Sequence, residues 1–455
     1  MEMVLEFLRD VLSQPALLIG IMSCVGLVAL KRPFHKVMTG TLKPILGYLM
    51  LAAGAGVIVS NLDPLGKMIE HGFHITGVVP NNEAIVAVAQ KVLGVETMSI
   101  LVVGLLMNLC IARFTKFKYV FLTGHHSLFM ACLMSAVLGT AGLSGMELIL
   151  VGGFLMGAWS AISPAIGQSY TSKVTEGDEI AIGHFGSLGY YLSAWVAKYV
   201  GKADDSTEDI EIPEKWGFLR DSTLSTALTM IVFYLIAAFA AGSEFVATLS
   251  GDMSPYLYAV MSAMNFAVGV TIVYSGVRMI LGDLIPAFQG IATKIIPNAI
   301  PAVDCAVFFT YAPTAVVLGF ISSFIGGIIG MLILGAVGGV LIIPGLVPHF
   351  FCGATAGIYG NATGGRRGAA VGAFLNGLAI TFLPALALPV LGQLGFQNTT
   401  FGDADFAVMG LVLGHTFEWI GMAGIYGIVA IAALVLIIPN FIKTKGKVIN
   451  YVEEE

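Results

Sequence analysis

A single carboxylate, Asp304, lies in a largely apolar stretch, residues 296–313, that three prolines interrupt. A proline inside a helix removes a hydrogen bond and clashes with the preceding turn, so we do not expect one straight helix here. Irregular backbone occurs at membrane depth only where it is buried in protein or lines a wet cavity. Because a carboxylate is costly there, Asp304 either caps a half-helix or contacts a transported solute.

Two histidines that each follow a glycine are the next candidates for a functional role. His125, with His126 after it, and His184 border apolar sequence, and Asn82 and Glu83 form a polar pair. Imidazole, amide and carboxylate groups supply the donors and acceptors that a polyhydroxylated ligand needs. Aromatic rings that could cover a ring face of such a ligand are Phe129, Phe185 and Tyr311. The alternative is that each histidine only hydrogen-bonds a backbone carbonyl.

The composition is that of an integral membrane protein. Of the 455 residues, 57% are hydrophobic and 11% are charged, whereas soluble domains carry about 25% charged residues. The apolar segments are about 20 residues long, unlike the alternating segments of membrane barrels. The sequence therefore predicts an all-α polytopic membrane protein with about 10–11 transmembrane helices plus re-entrant hairpins. The five cysteines show no pairing or metal-ligand spacing, and we expect no cofactor, no metal and no catalytic residue.

The distribution of basic residues predicts the orientation in the membrane. Lysine and arginine cluster at residues 31–36, 113–118, 198–220 and 443–447. Because such clusters favour the cytoplasmic side, we expect the N-terminus outside and the C-terminus in the cytoplasm. The hydrophilic stretch 202–221 is then cytoplasmic. We also expect a span over residues 335–351, a surface helix with a re-entrant hairpin over residues 61–97, and an amphipathic piece over residues 283–298.

The two halves of the chain, residues 1–222 and 223–455, echo each other. Four short strings recur at a similar spacing: Leu62-Asp63-Pro64 and Leu284-Ile285-Pro286, Asn82 and Asp304, His126 and His349, and Gly183-His184 and Gly414-His415. In the predicted topology the span before the first proline leaves the cytoplasm and its counterpart returns to it. This is an inverted repeat, and carriers built in this way bind substrate at broken helices near the membrane midplane.

Strings spread over nearly the whole chain carry a family resemblance: Thr123-Gly124-His125, Val174-Thr175-Glu176-Gly177 through Ile182-Gly183-His184, Ala302-Val303-Asp304-Cys305-Ala306 with Ala312-Pro313, and Ile342-Ile343-Pro344-Gly345. In these the chain resembles the ascorbate-specific membrane component, enzyme IIC, of the bacterial phosphotransferase system (the ascorbate/galactitol superfamily). The resemblance implies a permease of the bacterial inner membrane, surrounded by lipid, and the net charge of -6 argues against a nucleic-acid partner. It implies a homodimer in which each protomer has a scaffold and a substrate-binding core. L-ascorbate or a related sugar-like substrate would leave as its phosphate, with the phosphoryl chemistry carried out by separate A and B components.

The resemblance also assigns the ligand contacts. By matching strings they are Asn82, Glu83, His125, His126, Ser127, Leu128, Phe129, His184, Phe185 and Asp304. The chain departs from the family pattern at Phe129 and Phe185, where ascorbate carriers have amides, and at the Asn82-Glu83 pair, where they have Thr-Tyr. Two lost amides remove two hydrogen bonds of about 0.5–1.5 kcal/mol each. The resemblance therefore does not decide between L-ascorbate and a related substrate.

A proton-coupled secondary transporter of a small polyhydroxylated or acidic solute is the alternative function. Asp304 and His125 would form its proton relay, since carboxylates inside membranes often serve in that way. The two hypotheses differ in the intracellular product, which is free solute in one and a phosphate ester in the other.

Overall fold

Helices make up most of the chain. The computed structural model describes residues 11, 14–74, 77–80, 82–210, 222–391 and 399–441. The helices are α1 Pro15–Ala29, α2 Phe34–Phe73, α3 Asn82–Phe114, α4 Gly124–Thr140, α5 Gly145–Thr175, α6 Ser187–Val200, α7 Ser222–Ala241, α8 Ser243–Ser250, α9 Pro255–Lys294, α10 Pro313–Ala336, α11 Leu346–Leu391, α12 Ala404–Ile420 and α13 Met422–Ile437. Short 3-10 helices lie at Thr207–Asp209, Cys305–Thr310 and Ile438–Phe441. The predicted helical class is confirmed.

Several of these helices are built to cross a membrane. Within the described ranges, seven are long and apolar enough, or eight if α7 and α8, which are bent by 117°, count as one span. Helix α11 has 46 residues, which at about 1.5 Å per residue is ~69 Å, more than twice the thickness of a bilayer core. It bends where Gly364 and Gly365 leave the helical conformation, with a φ of 60° at Gly365 that suits glycine.

Helices α2 and α9 pack closely against each other along their glycines. A Cβ atom on Gly47 would lie 2.8 Å from the carbonyl oxygen of Gly276, and one on Gly54 would lie 2.7 Å from that of Gly269. The earlier glycine of α2 thus meets the later glycine of α9, so the two helices run antiparallel. Each has 40 residues, and the pair forms one wall of the interior.

The described part of the chain contains five short strands, which were not predicted and which lie in the segments between the helices. Strands β2 Tyr119–Phe121, β4 Ile300–Val303 and β3 Ala181–Ile182 form a parallel sheet in that spatial order. Strand β1 Val79–Pro80 pairs in parallel with β5 Thr399–Thr400. A proline has a fixed φ that an extended chain accepts, so the prolines that prevent a helix in β1 and β4 are compatible with a strand. The stretch before Asp304 is therefore non-helical, as predicted.

The three-stranded sheet separates two apolar clusters. Alternate residues of a strand point to opposite faces. On one face Val120, Ile182 and Val303 join the cluster around α2, α9, α10 and α11. On the other face Tyr119, Phe121, Ala181, Ile300 and Ala302 join the cluster around α4, α5 and α12. The ends of these strands are therefore held between two packed bodies.

Three predictions from the sequence are wrong in detail. The expected span over residues 335–351 is absent, because α10 ends at Ala336 and α11 begins only at Leu346, after a turn in which Gly338 has a φ of 71°. The surface helix expected from residue 61 and the amphipathic piece expected from residue 283 are the ends of α2 and α9. These helices continue through Pro64 and Pro286. Buried leucines beside each proline pack into the first cluster, and this packing offsets the lost helical hydrogen bond.

Candidate functional site

A cavity of about 900 Å³ lies between α2 and the ends of the short strands. Its deep polar lining consists of Tyr48, Asn82, His125, His126, His184, Asp304 and Asp403. The second half of α2 adds Asp63, Lys67 and Glu70, and apolar contacts come from Phe129, Pro348 and Phe351. A cavity of this size, mostly apolar with a few convergent polar groups, is typical of a site for a small organic ligand.

All of the deep polar groups except Tyr48, which is on α2, lie just beyond a strand. Asp304 directly follows β4, His184 lies two residues after β3, and His125 is the second residue of α4, which follows β2. Because parallel strands end at the same edge of a sheet, the sheet brings these three side chains together. Asn82 begins α3 after β1, and Asp403 precedes α12 after β5, so the two-stranded sheet supplies the remaining groups.

Asp304 caps a short helix and also lines the cavity. Its Oδ1 accepts a hydrogen bond of 3.1 Å from the backbone N–H of Ala306 and so caps the 3-10 helix Cys305–Thr310. Its Oδ2 lies 3.4 Å from Nε2 of His125. The residue is 8% exposed and lines the cavity. The cap therefore uses one carboxylate oxygen and leaves the other facing the histidine and the cavity.

The hydrogen bonds of His126 and His184 fix which ring nitrogen carries the proton. Nδ1 of His184 accepts from the backbone N–H of Gly186 at 3.1 Å and bonds to the hydroxyl of Tyr190 at 2.8 Å. Nδ1 of His126 accepts from the backbone N–H of Phe185 at 3.4 Å. A backbone N–H can only donate, so in the neutral rings the proton is on Nε2. Both histidines then have an Nε2–H to offer.

Tyr48 contacts His125 from α2. Its hydroxyl lies 3.2 Å from Nδ1 of His125, on the side of the ring opposite to Asp304. Since Nε2 faces a carboxylate, its proton is held there and the phenol donates to Nδ1. All three histidines of the cavity thus carry the proton on Nε2, although His125 is fixed by side chains and the other two by backbone.

Asn82 and Asp403 are joined by a hydrogen bond of 2.6 Å from Nδ2 to Oδ2. Oδ1 of Asn82 accepts from the backbone N–H of Gly402 at 2.9 Å, which fixes the orientation of the amide. The thiol of Cys352 donates to Oδ1 of Asp403 at 2.7 Å. Asn82 consequently keeps one N–H that these bonds do not use.

The structure separates the residues assigned by resemblance. Those that line the cavity are Asn82, His125, His126, Phe129, His184 and Asp304. Phe185 is fully buried and stacks on Phe121 with ring centroids 4.6 Å apart. Ser127 is also fully buried and bonds back to a carbonyl, and Leu128 packs against the second cluster. The side chain of Glu83 lies outside the described residues.

Three groups of donor atoms lie close enough to surround a cation: His125, His126 and Asp304; His184, Asp304 and Cys305; and His184, Cys352 and Asp403. Within each group the atoms lie within 4.8 Å of one another. In the third group hydrogen bonds already occupy Cys352 and Asp403. In this third group the geometry therefore favours hydrogen bonding over metal binding.

Sequence reasoning missed Tyr48 and Asp403. Tyr48 lies inside an apolar span where nothing in the pattern sets it apart. The predicted repeat matched Gly183-His184 to Gly414-His415, which lie inside α12, and so did not point to Asp403. Gly402 and Asp403 follow strand β5 in the second half, much as Gly183 and His184 follow β3 in the first.

Comparisons with known proteins give the family. Residues 10–405 match the family described as the PTS system sugar-specific permease component, EIIC-GAT. The chain is 28% identical over 417 residues to the ascorbate-specific PTS system EIIC component of Mycoplasma pneumoniae, a match that covers 78% of this chain and 62% of that relative. The chain thus spans about three fifths of the length of this curated relative.

Proposed function

We propose, from the premise that the chain belongs to the family of sugar-specific permease components of the phosphotransferase system, that it carries L-ascorbate or a related sugar-like substrate into the cell. A member of this family is a multi-pass transporter subunit of the cytoplasmic membrane. In the proposal the phosphoryl transfer is carried out by separate A and B components. One observation carries it: two carboxylates, imidazoles and an amide from five different segments face a single cavity.

The chemistry of the cavity suits a ligand with several hydroxyl groups. A hydroxyl donates one hydrogen bond and accepts others. The Oδ2 atom of Asp304 is an acceptor, and the Nε2–H groups of His126 and His184 are donors. The unused N–H of Asn82 is a further donor. Neighbouring hydroxyls of a sugar-like substrate can satisfy both kinds of group at once.

We assign the roles in the site accordingly. Asp304 and His125 bind one hydroxyl as a pair, His184 and Asn82 bind others, and Phe129 covers an apolar face of the ring or chain. His126 closes the space beside them, since its ring centroid lies 3.8 Å from that of His184. The resemblance assigns four further residues. We propose Glu83 as a ligand contact, and Ser127, Leu128 and Phe185 as residues that support the wall of the cavity.

Two halves related by an inverted repeat, residues 1–222 and 223–455, are part of the proposal. Helices α2 and α9 support it, because they have equal length and Gly47 and Gly54 are separated by 222 residues from Gly269 and Gly276. Gly47 contacts Gly276, the counterpart of Gly54, and Gly54 contacts Gly269, the counterpart of Gly47. This is the pattern expected if a symmetry operation exchanges the two halves. We also propose about 10–11 spans and a homodimer in which each core moves against its scaffold.

The orientation is tested at the segment after α6. Ala203 is exposed there, so Ala203→Cys, in a chain without its native cysteines, offers a thiol for an impermeant maleimide. The proposed cytoplasmic location predicts labelling in inverted vesicles and none in intact cells. Labelling from outside intact cells would reverse the topology.

The function is tested by the chemical form of the product. Cells that express the chain with cognate A and B components are given labelled L-ascorbate, and the intracellular label is separated into free and phosphorylated fractions. The proposal predicts the phosphate ester, with uptake lost when the B component is deleted. Accumulation of free solute without the B component would favour the proton-coupled carrier instead.

A further inference from the structure

A second carboxylate, that of Asp403, faces the cavity, and the roles assigned above do not use it. The residue is 4% exposed and lines the cavity. One of its oxygens lies within 4.8 Å of a ring nitrogen of His184 and of the sulfur of Cys352. An oxygen of Asp304 lies within 4.8 Å of a nitrogen of the same histidine. His184 therefore stands between two carboxylates.

Both oxygens of Asp403 act as acceptors, which is the behaviour of an ionised carboxylate. Oδ2 accepts from the amide of Asn82 and Oδ1 accepts from the thiol of Cys352. Neither partner carries a positive charge, so these bonds hold the carboxylate in place without neutralising it. The bond from Asn82 to Asp403 also fixes the direction in which the second N–H of this amide points.

The charge of the cavity is unbalanced. Its charged lining, apart from the histidines, consists of Asp63, Lys67, Glu70, Asp304 and Asp403. Among the described residues that line it, Lys67 is the one lysine or arginine, and it lies on α2 between Asp63 and Glu70. Around His184 the described lining therefore presents two carboxylates and no ammonium or guanidinium group. Charges in a cavity with low-dielectric walls act more strongly than in water.

We propose that Asp403 is a specificity-determining residue, which orients the amide of Asn82 and makes the part of the cavity around His184 favour neutral hydroxyl-bearing ligands over anionic ones, so that of the two proposed kinds of substrate it favours a neutral sugar-like relative over L-ascorbate itself. The inference rests on the proposed function for the class of ligand, whereas the discrimination by charge is a property of the cavity itself. It requires that the cavity discriminate by charge and that Asp403 cause much of the discrimination.

The first experiment needs no knowledge of the substrate. In a Phe129→Cys chain the new thiol faces the cavity, and its rates of modification by a cationic and an anionic methanethiosulfonate of similar size are measured by peptide mass spectrometry. Adding Asp403→Asn should lower the ratio of the cationic to the anionic rate by about tenfold. Asp403→Ser is the second neutral variant if the asparagine chain is recovered in low yield.

Asp63→Asn is the matched control, because it removes the same charge from an exposed position of α2. It should change the ratio of rates less than about threefold, since exposed charges are screened. A ratio that is equal with and without Asp403, or that responds equally to both substitutions, overturns the proposal.

The second experiment measures binding of L-ascorbate, an anion at neutral pH, and of L-gulono-1,4-lactone, a neutral lactone of similar shape. Asp403→Asn should improve the affinity for the anion relative to the lactone by about tenfold. A purely structural role would weaken both alike and would count against the inference. If neither compound binds the unaltered protein but the ratio of modification rates still falls, the proposed substrate fails and the role of Asp403 stands.

Discussion

Replacing Asp304 by asparagine separates the two roles of that side chain. The Oδ1 atom caps the 3-10 helix through Ala306 N–H, and Oδ2 faces Nε2 of His125 at 3.4 Å. Asparagine caps a helix about as well as aspartate does, so Asp304→Asn retains the cap. The amide nitrogen then takes the place of Oδ2 and presents N–H groups to the N–H of His125. If the cap were the only role, this substitution would change nothing.

The expected loss follows from the contact that is removed. A hydrogen bond to a charged group contributes about 1.5–3 kcal/mol, so the Kd for substrate should rise about 10- to 150-fold. Binding is measured on purified protein by calorimetry, and uptake is measured in cells with the amount of protein in the membrane held equal. The melting temperature should stay close to that of the unaltered chain.

Two further variants sharpen this test. Asp304→Ala removes the cap as well, so it should lose about 1 kcal/mol of stability in addition to the loss in affinity. Asp283→Asn is the control, since Asp283 does not line the cavity and pairs with Lys43 at 3.6 Å between α9 and α2, and its substitution should leave affinity unchanged. Unaltered uptake and affinity in Asp304→Asn would refute the reasoning and leave Asp304 as a cap alone.

The remaining predictions concern one hydroxyl, two rings and two glycines. Tyr48→Phe removes the donor to its neighbouring histidine, so the Kd should rise about 2- to 10-fold at an unchanged melting temperature; a drop in melting temperature without a change in Kd would show a packing role. Phe129→Gln should alter the order of ligand affinities in binding assays, whereas Phe185→Gln, whose ring is buried in a stack, should cost about 1–3 kcal/mol of stability in denaturation assays; equal behaviour of the two would contradict this difference. Gly54→Ala should destabilise the fold by about 1–3 kcal/mol because its Cβ would lie 2.7 Å from a carbonyl oxygen, whereas Gly56→Ala, with nothing within 4 Å, should be neutral in thermal unfolding.

Local interactions explain why many features of the protein can be predicted from its amino-acid sequence. A low content of charge and apolar segments of spanning length determine the membrane class, because lipid accepts no other composition. Proline acts on its own backbone, so the non-helical stretch before Asp304 is predictable residue by residue. A carboxylate in that stretch is conspicuous because its burial is costly. These features do not depend on distant parts of the chain.

Tertiary packing alone determines which side chains contact each other and which of them line the cavity. Asn82 bonds to Asp403 across 321 residues, and Tyr48 reaches His125 across 77. No local pattern encodes such pairs, since the first arises where strands β1 and β5 end at one edge and the second where helix α2 packs beside the start of α4. Phe129 and Phe185 are indistinguishable as aromatic residues beside histidines, yet one lines the cavity and the other is stacked in the core. The prolines of α2 and α9 break neither helix, because burial of the neighbouring leucines in a shared cluster outweighs the local cost.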